Sequence, residues 1–137
     1  MEESFKLTPE QMREIKKLLS SATIELRAAG INFFSPSPLL EDAIFHCQTS
    51  IEKSFMAFLI FKGFKFDKND GFKKLCDYVK ESDPDLSAIC DQVSAMRPHP
   101  RNTTFKTDVE EAKTVIVTAE KVFQAIIERL PLHIFQK

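Results

Sequence analysis

Glycine is scarce in this chain, with 3 in 137 residues. That argues against a many-turned β architecture and favours helices. Neither sign of charge prevails: 19 basic residues face 20 acidic ones, for a net charge of -1. Without a global basic field, any nucleic-acid contact has to rest on a local patch. The three cysteines, Cys47, Cys76 and Cys90, are odd in number and far apart. They read as buried thiols in a reducing compartment, with neither a disulfide framework nor metal-ligand spacing. No metal and no cofactor is expected. The longest unbroken apolar run, Phe55 to Phe61, is far too short to span a bilayer. The start, Met1-Glu2-Glu3, lacks an apolar signal region. The expectation is a cytoplasmic protein with no membrane association, folded as a single helical domain over residues 1–137.

What is present is helical punctuation. Thr8-Pro9-Glu10-Gln11 combines a capping threonine, a proline at the first helical position and a glutamine three after the cap. Met12, Ile15, Leu18, Leu19, Ala22, Leu26 and Ala29 follow at helical spacing, and Gly30 is the expected stop. In the second helix Ser37 is expected to cap and Pro38 to open. Its stripe is Leu40, Ile44, Cys47, Ile51, Phe55 and Phe58, widened by Ala43, Leu59 and Phe61, and Gly63 ends it. A stripe that wide needs several neighbours, which predicts the central helix. Phe72, Leu75, Cys76 and Val79 mark a short third helix. Asp83-Pro84 opens a fourth, carrying Leu86, Ile89, Cys90, Val93 and Met96. Thr107-Asp108-Val109-Glu110 reads as the capping box of a fifth, which buries Val109, Ala112, Val115, Ile116, Ala119, Val122, Phe123, Ile126, Ile127 and Leu130. Short links imply antiparallel neighbours. The predicted fold is all-α, an up-and-down antiparallel bundle of about five helices with a four-helix core.

The second helix holds the segment Ala43-Ile44-Phe45-His46-Cys47-Gln48-Thr49-Ser50-Ile51-Glu52-Lys53-Ser54-Phe55-Met56-Ala57-Phe58-Leu59. It resembles the HEPN family, in which Phe-His, a small residue and Gln lead to Glu-Lys and an apolar end. Phe45, His46, Gln48, Glu52, Lys53 and Ala57 match. Thr49 and Met56 stand where a second Gln and a second Lys are common. Ser37-Pro38-Leu39-Leu40-Glu41-Asp42 also looks like the family's lead into this helix. Lys68-Asn69-Asp70-Gly71-Phe72 replaces a frequent Lys-Thr-His-Asp-Leu. The resemblance implies an all-α bundle, frequent dimerisation and frequent partnership with minimal nucleotidyltransferases, as in toxin–antitoxin pairs. Family members include ribonuclease toxins, nucleotide-binding domains and inactive scaffolds.

The ribonuclease members place His after an Arg with four to six residues between them, pairing a cation for the phosphate with an imidazole for proton transfer. Arg13, Arg27, Arg97 and Arg101 have no His at that distance. Arg129-Leu130-Pro131-Leu132-His133 is one residue short and follows a helix end. This argues against an enzyme. The expected function is a non-catalytic HEPN-type binding module. It would pair with itself, and its further partner would be a minimal nucleotidyltransferase or a nucleotide or RNA ligand. The alternative is a divergent, metal-independent HEPN ribonuclease using His99 with Arg101, or His46.

Two clusters are candidate ligand-binding residues. Arg97, His99, Arg101 and Lys106 lie in an interhelix stretch that has no acidic residue from Gln92 to Thr107; they could receive a phosphate or an acidic partner, or could simply be solvated. His46 and Lys53, seven apart, lie near one helical edge, with Asp42 one turn before His46 and placed to bond it. That edge could be a polar site, a structural feature or a dimer contact. Phe61-Lys62-Gly63-Phe64-Lys65-Phe66-Asp67-Lys68 interleaves aromatics with lysines, as base-stacking surfaces do. More often such phenylalanines close the end of a core.

Overall fold

A computed structural model describes residues 7–96, 107–131 and 134. Among these residues all regular structure is helical: α1 (Pro9–Phe33), α2 (Leu40–Phe61), α3 (Phe72–Ser82), a 3-10 turn (Pro84–Leu86), α4 (Ser87–Ser94) and α5 (Val109–Arg129). The helices pack as a bundle around α2, which touches α1, α3 and α5, with α1 its most extensive neighbour. Cross-contacts set the direction of the α1–α2 hairpin. His46 meets Glu25, and one turn further along α2 the Ser50 hydroxyl donates to the Ala22 carbonyl at 2.9 Å. Advancing along α2 therefore retreats along α1, so the two run antiparallel.

The expected stripe of α2 is the core. Ile44, Cys47, Ile51, Phe55 and Leu59 have no exposed surface, and Phe58 is nearly sealed. Leu40 and Phe61, at the two ends, are half-buried. Ile15, Leu18, Leu19, Ala22 and Ala29 of α1 and Ala112, Val115, Ala119, Val122 and Ile126 of α5 are buried as well. Among the described residues, the Ser54 hydroxyl oxygen is buried without a hydrogen-bond partner.

Helix ends test the punctuation. The capping box at Thr8 forms: the Gln11 N–H donates to Thr8 Oγ1 at 3.0 Å, and the Thr8 N–H to Gln11 Oε1 at 2.8 Å. Gly63 has φ 72°. The Gly63 and Phe64 amides donate back to Ile60 and Leu59 carbonyls at 3.0 and 2.9 Å, which is the paired closure that a left-handed glycine allows.

Three boundaries differ from expectation. Gly30 does not stop α1, which continues to Phe33. A lone glycine costs a helix only about 1 kcal/mol, and the chain breaks where Pro36 and Pro38 enforce it. Ser37 does not cap α2. Leu39 occupies that position without a side-chain bond, and its N–H donates to the Asn32 carbonyl at 3.1 Å, closing the link; Glu41 and Asp42 in the first turn complement the helix dipole instead. In α5 the cap is Asp108, not Thr107. Asp108 Oδ1 accepts from the Glu111 N–H at 2.7 Å, and Val109, at the first helical position, is left 51% exposed rather than buried. The fourth helix opens as the 3-10 turn, with Asp83 Oδ1 accepting from the Asp85 N–H.

Candidate functional site

The α1–α2 seam gathers the polar groups. His46 Nδ1 lies 2.6 Å from Glu25 Oε1, both side chains roughly one-fifth exposed (21% and 23%). Glu25, not Asp42, is the histidine's partner. Because α2 lies against α1 along its length, the group across the seam reaches the ring while the group one turn earlier on the same helix does not. Glu25 sits beside Ala22, Leu26 and Ala29, on the edge of the α1 stripe that meets α2. A carboxylate on Nδ1 fixes the ring's orientation.

Two turns along α2, Lys53 lines a cavity of about 240 Å³ with Glu14, Lys17, Leu18, Ser21, Met56 and Lys68. His46 and Lys53 therefore share the α1-facing edge, as their spacing implied, but they stand about 10 Å apart along the helix axis and serve different surroundings. Arg97, His99, Arg101 and Lys106 lie outside the described residues, as does His133. Arg129 is committed elsewhere: its Nε donates to Asp83 Oδ2 at 2.8 Å, tying α5 to the α3–α4 turn.

Glu52, the neighbour of Lys53, does a structural job. Gly71 cannot cap α3 with a side chain, and the Glu52 carboxylate accepts from the Phe72 backbone N–H in its place. Burial raises the Glu52 pKa above its ordinary value, against the smaller opposing pulls of that hydrogen bond and of Lys53. The aromatic–lysine stretch closes the core: Phe61, Phe64 and Phe66 pack against it, and Phe64 lies 5.3 Å from the Tyr78 ring.

All three cysteines are buried and reduced. Burial, with a lesser push from Glu120, raises the Cys47 thiol to about 12. Cys76 and Cys90, 14 residues apart, are neighbours: the Cys76 thiol donates to the Cys90 carbonyl at 3.6 Å. The hydrogen bond between their side chains is the main cause that lowers Cys76 and raises Cys90, and burial raises Cys90 further. Among the described residues no group of three or more His, Cys, Asp and Glu side chains could hold a metal, and no helix is long and apolar enough to cross a membrane.

A second cavity, of about 900 Å³, lies between the end of α4 and the first half of α5. Asp108, Glu110 and Glu111 face Lys113 and Lys121 there, so its charge is mixed.

An all-helical bundle whose polar residues gather along one helix–helix seam is a class of fold that hosts binding and catalysis alike. Its family is settled by the chain as a whole. The HEPN domain model matches residues 9–130, nearly the whole sequence, and the chain belongs to the HEPN domain family. Comparison with curated proteins and with solved structures gives no match.

Proposed function

We propose that this HEPN domain is a non-catalytic binding module that pairs with itself and engages a nucleotide, an RNA or a minimal nucleotidyltransferase. In this reading the chain works as one domain in the cytoplasm. The observation that carries it is the α1–α2 seam. His46 is held by Glu25, and no arginine among the described residues bonds either of them. Arg129 is taken by Asp83, and Arg13 and Arg27 are exposed on α1. An oriented imidazole without a cation beside it has nothing to stabilise the charge that builds on a phosphate during cleavage.

The divergent ribonuclease remains the second reading, because a carboxylate-oriented imidazole is also how general bases are built. Incubating the purified protein with single-stranded RNA separates the two. The RNA is expected to be retained and recovered intact. Cleavage that survives mock purification and vanishes in His46→Ala would replace the binding module with the nuclease.

A further inference from the structure

The cavity around Lys53 carries more than a place on a seam. Three of its seven lining side chains are ammonium groups, Lys17 from α1, Lys53 from α2 and Lys68 from the α2–α3 loop, and only Glu14 opposes them. This concentration occurs on a chain whose net charge is -1. The ion pairs among the described residues include His46–Glu25, Lys74–Asp70, Lys80–Asp91 and Arg129–Asp83. None of these involves the three lysines; Glu52, the chain neighbour of Lys53, has its pKa raised by burial, against smaller opposing pulls from a Phe72 backbone hydrogen bond and from Lys53. Glu14 also lines an adjoining cavity of about 530 Å³ with Thr8, Gln11 and Gly63, so it stands at the wall between two hollows.

The site is built from parts held in place. Lys17 and Ser21 are one turn apart on α1, and Lys53 and Met56 nearly one turn apart on α2. Lys68 sits in a tight turn, where Asp67 Oδ1 accepts from the Asn69 N–H at 2.8 Å and the Asp70 N–H donates to the Asp67 carbonyl at 3.0 Å. Leu18 and Met56 give an apolar wall, which strengthens the field of the cations at the cavity relative to open water.

We propose that this cavity binds a phosphate monoester, with Lys17, Lys53 and Lys68 supplying charge and Ser21 a hydroxyl donor. The inference takes its ligand class from the binding-module reading above. At about 240 Å³ the cavity is smaller than the roughly 300–1,000 Å³ of sites that enclose a whole small molecule. It holds a phosphoryl group and leaves the base outside. A terminal phosphate brings two negative charges to three cations and enters a hollow end-on, whereas a chain phosphodiester brings one charge and must also leave. Lysines bind phosphate as point charges, without the forked geometry of arginine, so base identity matters little here. Two chemical sources present such a group: a free 5′-mononucleotide and the 5′-phosphorylated end of an RNA.

Amide chemical shifts of the full chain titrated with four probes test this: adenosine 5′-monophosphate, adenosine, a short single-stranded RNA bearing a 5′-phosphate, and the same RNA with a 5′-hydroxyl. The phosphorylated member of at least one pair is expected to move Lys17, Ser21 and Lys53 and to bind on the order of tenfold more tightly than its unphosphorylated partner; which pair responds identifies the source. Lys53→Glu should erase that preference. Lys17→Gln and Lys68→Gln, at exposed positions that folding does not depend on, should each weaken phosphate binding about threefold and leave the melting temperature unchanged. These two carry the test if Lys53→Glu does not fold. A phosphate preference that survives the Lys17→Gln/Lys68→Gln double variant overturns the site, as do shifts confined to other surfaces. RNA binding indifferent to its 5′ group, with adenosine 5′-monophosphate bound no better than adenosine, would sink the site and leave the binding-module reading standing for RNA. Failure of all four probes would remove the site and the nucleic-acid half of that reading together.

Discussion

At Glu52 two demands on one carboxylate conflict. Its oxygen is needed by the Phe72 N–H at the start of α3, yet burial disfavours its charge, and burial prevails, so the pKa rises from the ordinary 4.5. The folded protein then holds this proton to a higher pH than the unfolded chain does. The resulting contribution to stability is complete below the ordinary value and is lost as pH rises through the raised one. Glu52→Gln keeps an acceptor oxygen for Phe72 and removes the titration. Urea unfolding from about pH 4 to about pH 7 should show wild type losing stability relative to Glu52→Gln as pH increases. A difference that stays flat, or that slopes the other way, would mean that Glu52 is charged in the folded state at little cost. The same residue explains why the Glu-Lys pair of the segment is not one functional unit: Glu52 supports α3, while Lys53 points its charge into the α1–α2 cavity.

At the scale of the element, α2 carries the fold. Ile51 has no exposed surface and lies midway along the buried face of α2, with Cys47 one turn before it and Phe55 one turn after. Ile51→Asp would place an unpaired charge where nothing can solvate it, at a cost expected to exceed about 4 kcal/mol. Circular dichroism should find the variant unfolded, and a cooperative melt near that of wild type would refute the assigned core. This face was readable from sequence because apolar spacing at a helical period reports burial directly. The capping box at Thr8 and the stop at Gly63 were readable because both signals are local. The boundaries at Gly30, Ser37 and Thr107 were not, since each pits a weak local preference against geometry fixed by neighbouring turns. The Glu25–His46 bond spans 21 residues, and no local pattern announces a partner across a helix hairpin. Lys17 carries no signal of its own in the sequence, and Lys68 stands out only as part of the aromatic–lysine stretch, for the same reason. Each alone is an ordinary surface lysine, and only the packing of α1, α2 and the following loop brings them to Lys53.

At the scale of the whole molecule, most of the exposed large apolar side chains among the described residues lie on α1 and the link that follows it. On α1, Ile24 and Ile31 are 59% and 65% exposed; beyond it, Phe34 is 79% exposed and Leu39, at the cap of α2, 53%. Ile24 and Ile31 are seven apart and so share a helix face, and Phe34 and Leu39 extend that surface around the α1–α2 link. Exposed apolar groups gathered this way mark a contact surface more often than isolated ones do. HEPN domains commonly dimerise, and a symmetric dimer needs one self-complementary patch, of about 800 Å² on each partner. We expect the patch to be the α1 face and the link beside it, with the Lys17–Lys53–Lys68 cavity farther along the hairpin and left open. Sedimentation at micromolar protein should then give about twice the 15.7 kDa of one chain. Ile31→Asp with Phe34→Asp should return the mass to a single chain without lowering the melting temperature much, because neither side chain contributes to the core of its own subunit. A wild-type protein that sediments as one chain would remove self-pairing from the proposed function. A double variant that stays dimeric would move the interface to another face, with the exposed Val109 and Val117 of α5 the next place to substitute.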